Sequence, residues 1–157
     1  MTSREFDLGK ERLLRVGVIG AGVMGFNHGR VLAGLPGIEL VGIVDPLLDH
    51  RDHAANVIGC PTFARLDELC AAGVEAVTIA APTHLHHEIA LECIARGIHL
   101  LVEKPVASTV QQGREIVAAA HRANVTLMVG HVERFNPAVV AIKKAIEGED
   151  ILSIGIT

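Results

Sequence analysis

Residues 15–25 read Arg15-Val16-Gly17-Val18-Ile19-Gly20-Ala21-Gly22-Val23-Met24-Gly25. β-Branched apolar side chains carry the first half, and three glycines in the spacing GxGxxG close the second. A glycine-rich turn alone is a weak signal. Placed directly after a strand and at the start of a helix, it becomes a phosphate-binding turn. Gly20 permits the tight turn, Gly22 lets backbone approach a pyrophosphate with no Cβ between, and Gly25 allows close packing of helix on strand. Val23 and Met24 begin the helix, whose first N–H groups are offered to the phosphates.

The next apolar run ends in Val44-Asp45, twenty residues past Gly25. A carboxylate there accepts hydrogen bonds from both hydroxyls of an adenine ribose. A 2′-phosphate would meet a like charge, costing about 4 kcal/mol at ~4 Å and an effective dielectric of ~20. Pro46-Leu47-Leu48 supplies no cation, although Arg51 could reach from the next helix. The residues therefore favour NAD over NADP. The plainer alternative is that the glycines only turn the chain and Asp45 only caps a helix. Strand, turn, helix and acid in register argue against it.

Outward from this turn the same alternation repeats. Short apolar runs at 15–20, 39–44, 76–80, 98–102, 126–129 and 151–156 predict strands, with a two-residue stub at 62–63. Most are apolar throughout, the pattern of parallel strands covered on both faces. Helices are expected at 24–34, 47–57, 85–96, 109–123 and 137–147. In the fourth, Ser108 is the expected N-cap, and Val110, Gly113, Val117 and Ala120 recur along one face. Gly97 and Asn124 sit at helix stops. Strands alternating with helices imply right-handed crossovers and an α/β, doubly wound, mostly parallel Rossmann sheet. The expected division is a polar leader at 1–13, a dinucleotide-binding domain at 14–150, and a strand beginning at 151–157. That last strand has no cover within the sequence, so a second domain or another copy of the chain is expected over it.

The 157 residues are half apolar and one fifth charged, with a formal net charge of −4. This is a globular balance, and it argues against a nucleic-acid or anionic-membrane surface. Cys60, Cys70 and Cys93 are odd in number and lack CxxC spacing, so no disulfide framework is expected. The first fifteen residues lack the apolar core of a signal peptide, and no apolar run approaches a membrane span. A cytoplasmic protein is expected.

Three further segments fall just past strand ends, where ligands bind in open α/β sheets. They are Ala81-Pro82-Thr83-His84-Leu85-His86, Glu103-Lys104-Pro105, and Gly130-His131-Val132-Glu133-Arg134-Phe135-Asn136-Pro137. With the glycine turn, they resemble the A-P-(N/T)-x-x-H, E-K-P and G-x-x-x-R-F-N-P segments of the glucose–fructose oxidoreductase / inositol dehydrogenase / rhizopine-catabolism (Gfo/Idh/MocA) family. The resemblance runs from about Leu14 to Thr157. Members of that family are about twice this length, so the C-terminal α/β half that carries much of their substrate site is expected to be missing from this sequence.

The resemblance implies that Lys104 hydrogen-bonds the reacting hydroxyl of a sugar or polyol and helps remove its proton as hydride leaves for the nicotinamide. Partial desolvation of that lysine would suit proton handling near neutral pH. Glu103 would orient Lys104, and Pro105 would fix the backbone through a cis bond. Ala81, Pro82, Thr83 and His86 are expected along the cofactor trough. Arg134 is a candidate for a substrate carboxylate or phosphate, or equally for a structural link. His131 is a candidate for substrate contact or for packing. His84, His86 and His87 raise a metal reading, but no Cys or carboxylate at ligand spacing completes a site, so no metal is expected.

Three readings of function follow. One is an NAD-dependent dehydrogenase of a secondary alcohol in a sugar, inositol or nucleotide-sugar. The second is a cofactor-binding module without chemistry of its own, and the third is a glycosidase or lyase of the same family in which NAD oxidises and then re-reduces the sugar.

Overall fold

The computed structural model describes residues 12–148. The predicted strand at 151–156, and all but the last two residues of the polar leader, lie outside the described residues. Six strands form one all-parallel sheet: β1 (Leu14–Ile19), β2 (Ile38–Val44), β3 (Thr62–Phe63), β4 (Ala76–Ile79), β5 (His99–Val102) and β6 (Leu127–Val129). Their order is β3-β2-β1-β4-β5-β6, so the chain reverses direction across the sheet between β1 and β4. That reversal opens a crevice at the strand C-termini.

Helices α1 (Val23–Leu32), α2 (Leu48–Ile58), α4 (Thr83–Ala95), α5 (Val110–Ala123) and α6 (Pro137–Ala145) fall at the expected places. Two short elements were not expected: α3 (Leu66–Ala71) and a single 3-10 turn at Val132–Phe135. Both are shorter than two helical turns, too short for periodicity to register.

Successive strand residues point to opposite faces, and the two faces are filled unequally. Val18, Ile43, Ala21 and Ala54 form a small cluster beneath α1 and α2. Ile19, Val44, Val77, Ile79, Leu100 and Val102 join Leu69, Ala90, Cys93, Ile94, Ile116 and Ala120 in the larger one under α3, α4 and α5. Burial of Cys93 there pushes its thiol up to about 12, the behaviour of an inert packed cysteine.

Helix α5 corrects two expectations. Thr109, not Ser108, is its N-cap, accepting a hydrogen bond from the Gln112 N–H at 3.2 Å. Its buried side chains are Ile116 and Ala120, whereas Val110 and Val117 lie exposed. Ala120 belongs to both stripes, and the sheet selects the one that brings Ile116 inward, a side chain worth about 1.5–3 kcal/mol on burial. Both predicted helix stops are present, Gly97 at φ 72° and Asn124 at φ 54°.

Candidate functional site

The glycine turn is fixed by contacts that admit no side chain. Gly20 holds φ 95°, and a Cβ there would lie 2.8 Å from the Ala80 carbonyl oxygen and the Ala81 nitrogen. A Cβ on Gly25 would overlap the Gly20 carbonyl oxygen outright, so α1 packs on the turn only because that position is glycine. Gly22 is different. A Cβ on it would meet nothing within 4 Å, leaving open space above the backbone. Gly22 is the N-cap of α1, no side chain caps that helix, and its first turn carries no acid. The first N–H groups of α1 therefore face an open cradle, the arrangement that receives an anion.

Asp45 stands at the end of β2, only 6% exposed. Its Oδ2 accepts from the Ala21 N–H at 2.7 Å and its Oδ1 from the Leu47 N–H at 2.9 Å. His50 Nδ1 lies 3.2 Å from Oδ2. Burial raises the Asp45 carboxyl, but these two N–H groups and the His50 ring outweigh it and hold the group below the usual aspartate range. Asp45 is thus a latch between β2 and the glycine turn. Three of a carboxylate's about four acceptor directions face protein groups, one of them the His50 ring, whose side chain is 44% exposed. Arg51 is also tied: its guanidinium donates to the carbonyls of Asp45 and Pro46 at 2.8 and 3.0 Å.

Between these groups runs a trough of about 630 Å³. Gly20, Gly22, Val23, Met24, Asp45, Ala81 and Pro82 line it, with Leu47, His50, Arg65, Leu66, Leu85 and Glu92. A wider groove of about 880 Å³ follows α5 and the 105–110 segment; it lies off the glycine turn and is lined by none of the predicted site residues. The trough lies at the β1/β4 reversal, and its open glycine backbone and uncapped helix fit a dinucleotide pyrophosphate.

His86 is not part of that lining. It is 1% exposed, with Nδ1 3.0 Å from the Pro105 carbonyl and Nε2 2.8 Å from the Ala81 carbonyl. It ties the loop after β4 to the loop after β5 from beneath. Thr83 is the first residue of α4, half-buried beside Pro82. Glu103 is also buried. Its Oε1 lies 2.8 Å from His28 Nε2 in α1, and its Oε2 accepts from the Lys104 backbone N–H at 3.1 Å. Glu103 therefore positions the backbone at Lys104 rather than its ammonium. The Lys104–Pro105 bond is cis. Lys104 is exposed, which removes the desolvation expected of it. His131 and Arg134 are exposed as well, the first just before the 3-10 turn and the second within it. Among the described residues, the Arg134 side chain has no hydrogen-bond partner, and no three metal-ligating side chains converge.

His28 was missed from the sequence. The available signal was a polar residue three positions past Gly25, on the face of α1 that packs on the sheet. A Cβ on Gly130, at the end of β6, would come within 3.1 Å of the Glu103 carboxylate. The His28–Glu103 pair thus gathers α1, β5 and β6 at one point.

Comparison with known proteins agrees with this geometry. Residues 14–131 match the family model described as oxidoreductase family, NAD-binding Rossmann fold. The chain is 30% identical over 132 residues to the UDP-N-acetylglucosamine 3-dehydrogenase of Acidithiobacillus ferrooxidans, covering 84% of this chain and 41% of that protein. It is 34% identical over 143 residues to inositol 2-dehydrogenase 1 of Saccharopolyspora erythraea, covering 88% and 42%. Among solved structures, GenD2 from gentamicin A biosynthesis, in complex with NAD, superimposes with a TM-score of 0.83 at 33% identity, covering 87% of this chain and 40% of that one. The chain spans about two fifths of the length of these relatives. Along that shared length, from the glycine turn to the segment after β6, the chain belongs to the oxidoreductase family with the NAD-binding Rossmann fold.

Proposed function

We propose that this chain is the cofactor-holding part of an NAD-dependent oxidoreductase acting on a secondary alcohol of a sugar, an inositol or a nucleotide-sugar. The observation that carries the reading is the trough itself: open backbone at Gly22, an uncapped α1, and Asp45 buried at the far wall. When bound, NAD supplies a hydride acceptor. The residues of this chain hold its pyrophosphate on the N–H groups of α1 and its adenosine against Asp45 and Leu47. Pro82 and Ala81 bound the other end of the trough, and Lys104 stands on the neighbouring loop as the side chain that hydrogen-bonds the reacting hydroxyl and helps its proton leave. The sugar-type substrate rests on the activities named for the relatives, a nucleotide-sugar dehydrogenase and an inositol dehydrogenase.

A second reading has a specific observation in its favour. Lys104, His131 and Arg134 are all exposed, so the chain acts as a cofactor-binding module unless further groups enclose the reacting end. Fluorescence titration with NADH and NADPH separates the outcomes, since the chain has no Trp to interfere. Saturable binding with NADH preferred supports both readings. Net NADH formation from NAD with a sugar or polyol then selects the dehydrogenase, and turnover without net NADH selects the redox-neutral lyase. Failure of the folded chain to bind either nucleotide overturns the trough assignment.

A further inference from the structure

We propose that His28 is a positioning residue: acting through Glu103, it fixes the place of Lys104 relative to a dinucleotide held on the N-terminus of α1. This deepens the proposed function and rests on it.

Proton removal by Lys104 requires the lysine and the nicotinamide to keep one separation, and a misplacement of ~1 Å can cost ~100-fold in rate. The two are carried by different elements. The pyrophosphate cradle belongs to α1, whereas Lys104 follows β5, and β4 stands between β1 and β5 in the sheet. His28 joins the two elements directly. It stands in the second turn of α1, with Nε2 2.8 Å from Glu103 Oε1. Among the described residues, this is the one hydrogen bond from α1 to the loop after β5.

Helix α1 is seated firmly enough to act as the reference. Gly25 packs against the Gly20 carbonyl with no room for a Cβ, and His28 lies one turn further along the same face. Among the described residues the carboxylate is the only hydrogen-bond partner of the ring, which otherwise borders a largely apolar groove of about 370 Å³ with Leu32, Leu101 and Met128. An ionised Glu103 accepts and does not donate, so Nε2 carries the hydrogen.

Glu103 passes the constraint on. Its Oε2 accepts from the Lys104 N–H at 3.1 Å. The end of β6 closes on the same carboxylate, where a Cβ on Gly130 would lie 3.1 Å from Oε1. The following residue is held too, with the Pro105 carbonyl 3.0 Å from His86 Nδ1. Backbone on both sides of the Lys104 Cα is therefore anchored, while the side chain itself stands exposed to meet a substrate.

The test uses the full chain isotope-labelled at the lysine backbone nitrogens, where Lys104 shares the spectrum only with Lys10, Lys143 and Lys144. Lys104→Arg identifies its amide by loss. Wild type should bind NAD by calorimetry, protect the Lys104 amide from hydrogen exchange, and shift that amide's resonance at saturation. His28→Ala should bind NAD within about three-fold of wild type. Its Lys104 amide should exchange at least about ten-fold faster and lose most of the NAD-induced shift. His28→Gln, whose amide nitrogen stands as many bonds from the backbone as Nε2, should restore both. Gly130→Ala presses on the same carboxylate from β6 and should reproduce the loss, which decides the matter should His28→Ala not fold. Reduced stability in His28→Ala with Lys104 exchange and shift at wild-type values marks a purely structural pair and overturns the proposal. A wild type that binds NAD without any response at Lys104 also overturns it, while leaving the trough intact. Absence of NAD binding by the folded chain overturns the trough reading and this inference together.

Discussion

The two ends of the trough are built differently. At the adenosine end, position is set by backbone and by a buried charge: Gly25 admits no Cβ, Gly20 holds a left-handed turn, and Asp45 latches both to β2. At the reacting end, the side chains that would do chemistry, Lys104, His131 and Arg134, stand exposed, while the buried His86 and Glu103 hold the loop that carries Lys104. The difference separates binding from chemistry. Holding a dinucleotide needs rigid N–H groups and one fixed acid, and these come from a single βαβ unit. Proton removal needs groups enclosed around a substrate, and the exposed loops alone do not enclose one.

The sharpest way to break this comparison is Gly25→Ala. Its methyl has no space against Gly20, and overpacking of this kind costs about 1–3 kcal/mol, occasionally more. Urea unfolding should show a loss at the top of that range, with NADH binding abolished. Gly22→Ala is the paired control. Its backbone, φ −64° and ψ −173°, suits alanine, and nothing lies within 4 Å. Stability should stay within about 0.5 kcal/mol of wild type while NADH affinity falls at least about ten-fold. Equal loss of stability in both variants would show that the cradle is merely a tight turn.

Asp45→Asn comes next. Removing a buried acceptor charge that faces two N–H groups should cost about 1–3 kcal/mol at neutral pH. The folded carboxyl lies below its unfolded value, so its contribution is fully present above about pH 4 and is lost as pH falls through the folded value. The gap between wild type and variant in urea melts should therefore be constant from about pH 7 to 5 and close below about pH 4. A gap that closes toward alkaline pH instead would contradict the latch.

His28→Ala leaves the Glu103 carboxylate buried without its ring partner, an expected cost of about 1–2 kcal/mol. Lys104→Ala should do least, less than about 0.5 kcal/mol, because the side chain is exposed and its backbone is held by Glu103. A large destabilisation by Lys104→Ala would erase the distinction between the two ends.

Much of this was legible in the residues. The glycine spacing, the acid twenty positions on, and the apolar runs between turns give the parallel sheet and the location of the trough, because those signals act within one βαβ unit and have periods that a short window captures. Short pieces such as α3 and the 3-10 turn carry no period. Which stripe of α5 faces inward was equally hidden, since two stripes share Ala120 and only the sheet beneath chooses between them.

By itself, then, the sequence determined the order of elements, the helix stops at Gly97 and Asn124, and the set of residues placed at strand ends. The tertiary structure decided what those residues do to one another. It turned Asp45 inward onto the Ala21 N–H, paired Glu103 with a histidine 75 positions away, and buried His86 between two carbonyls. Apart from the His86–Ala81 contact, five residues long, these join segments far apart in the chain, so no local spacing encodes them. They exist because the sheet order brings the ends of β1, β2, β4, β5 and β6 to one edge, where each polar group left dry must find a partner.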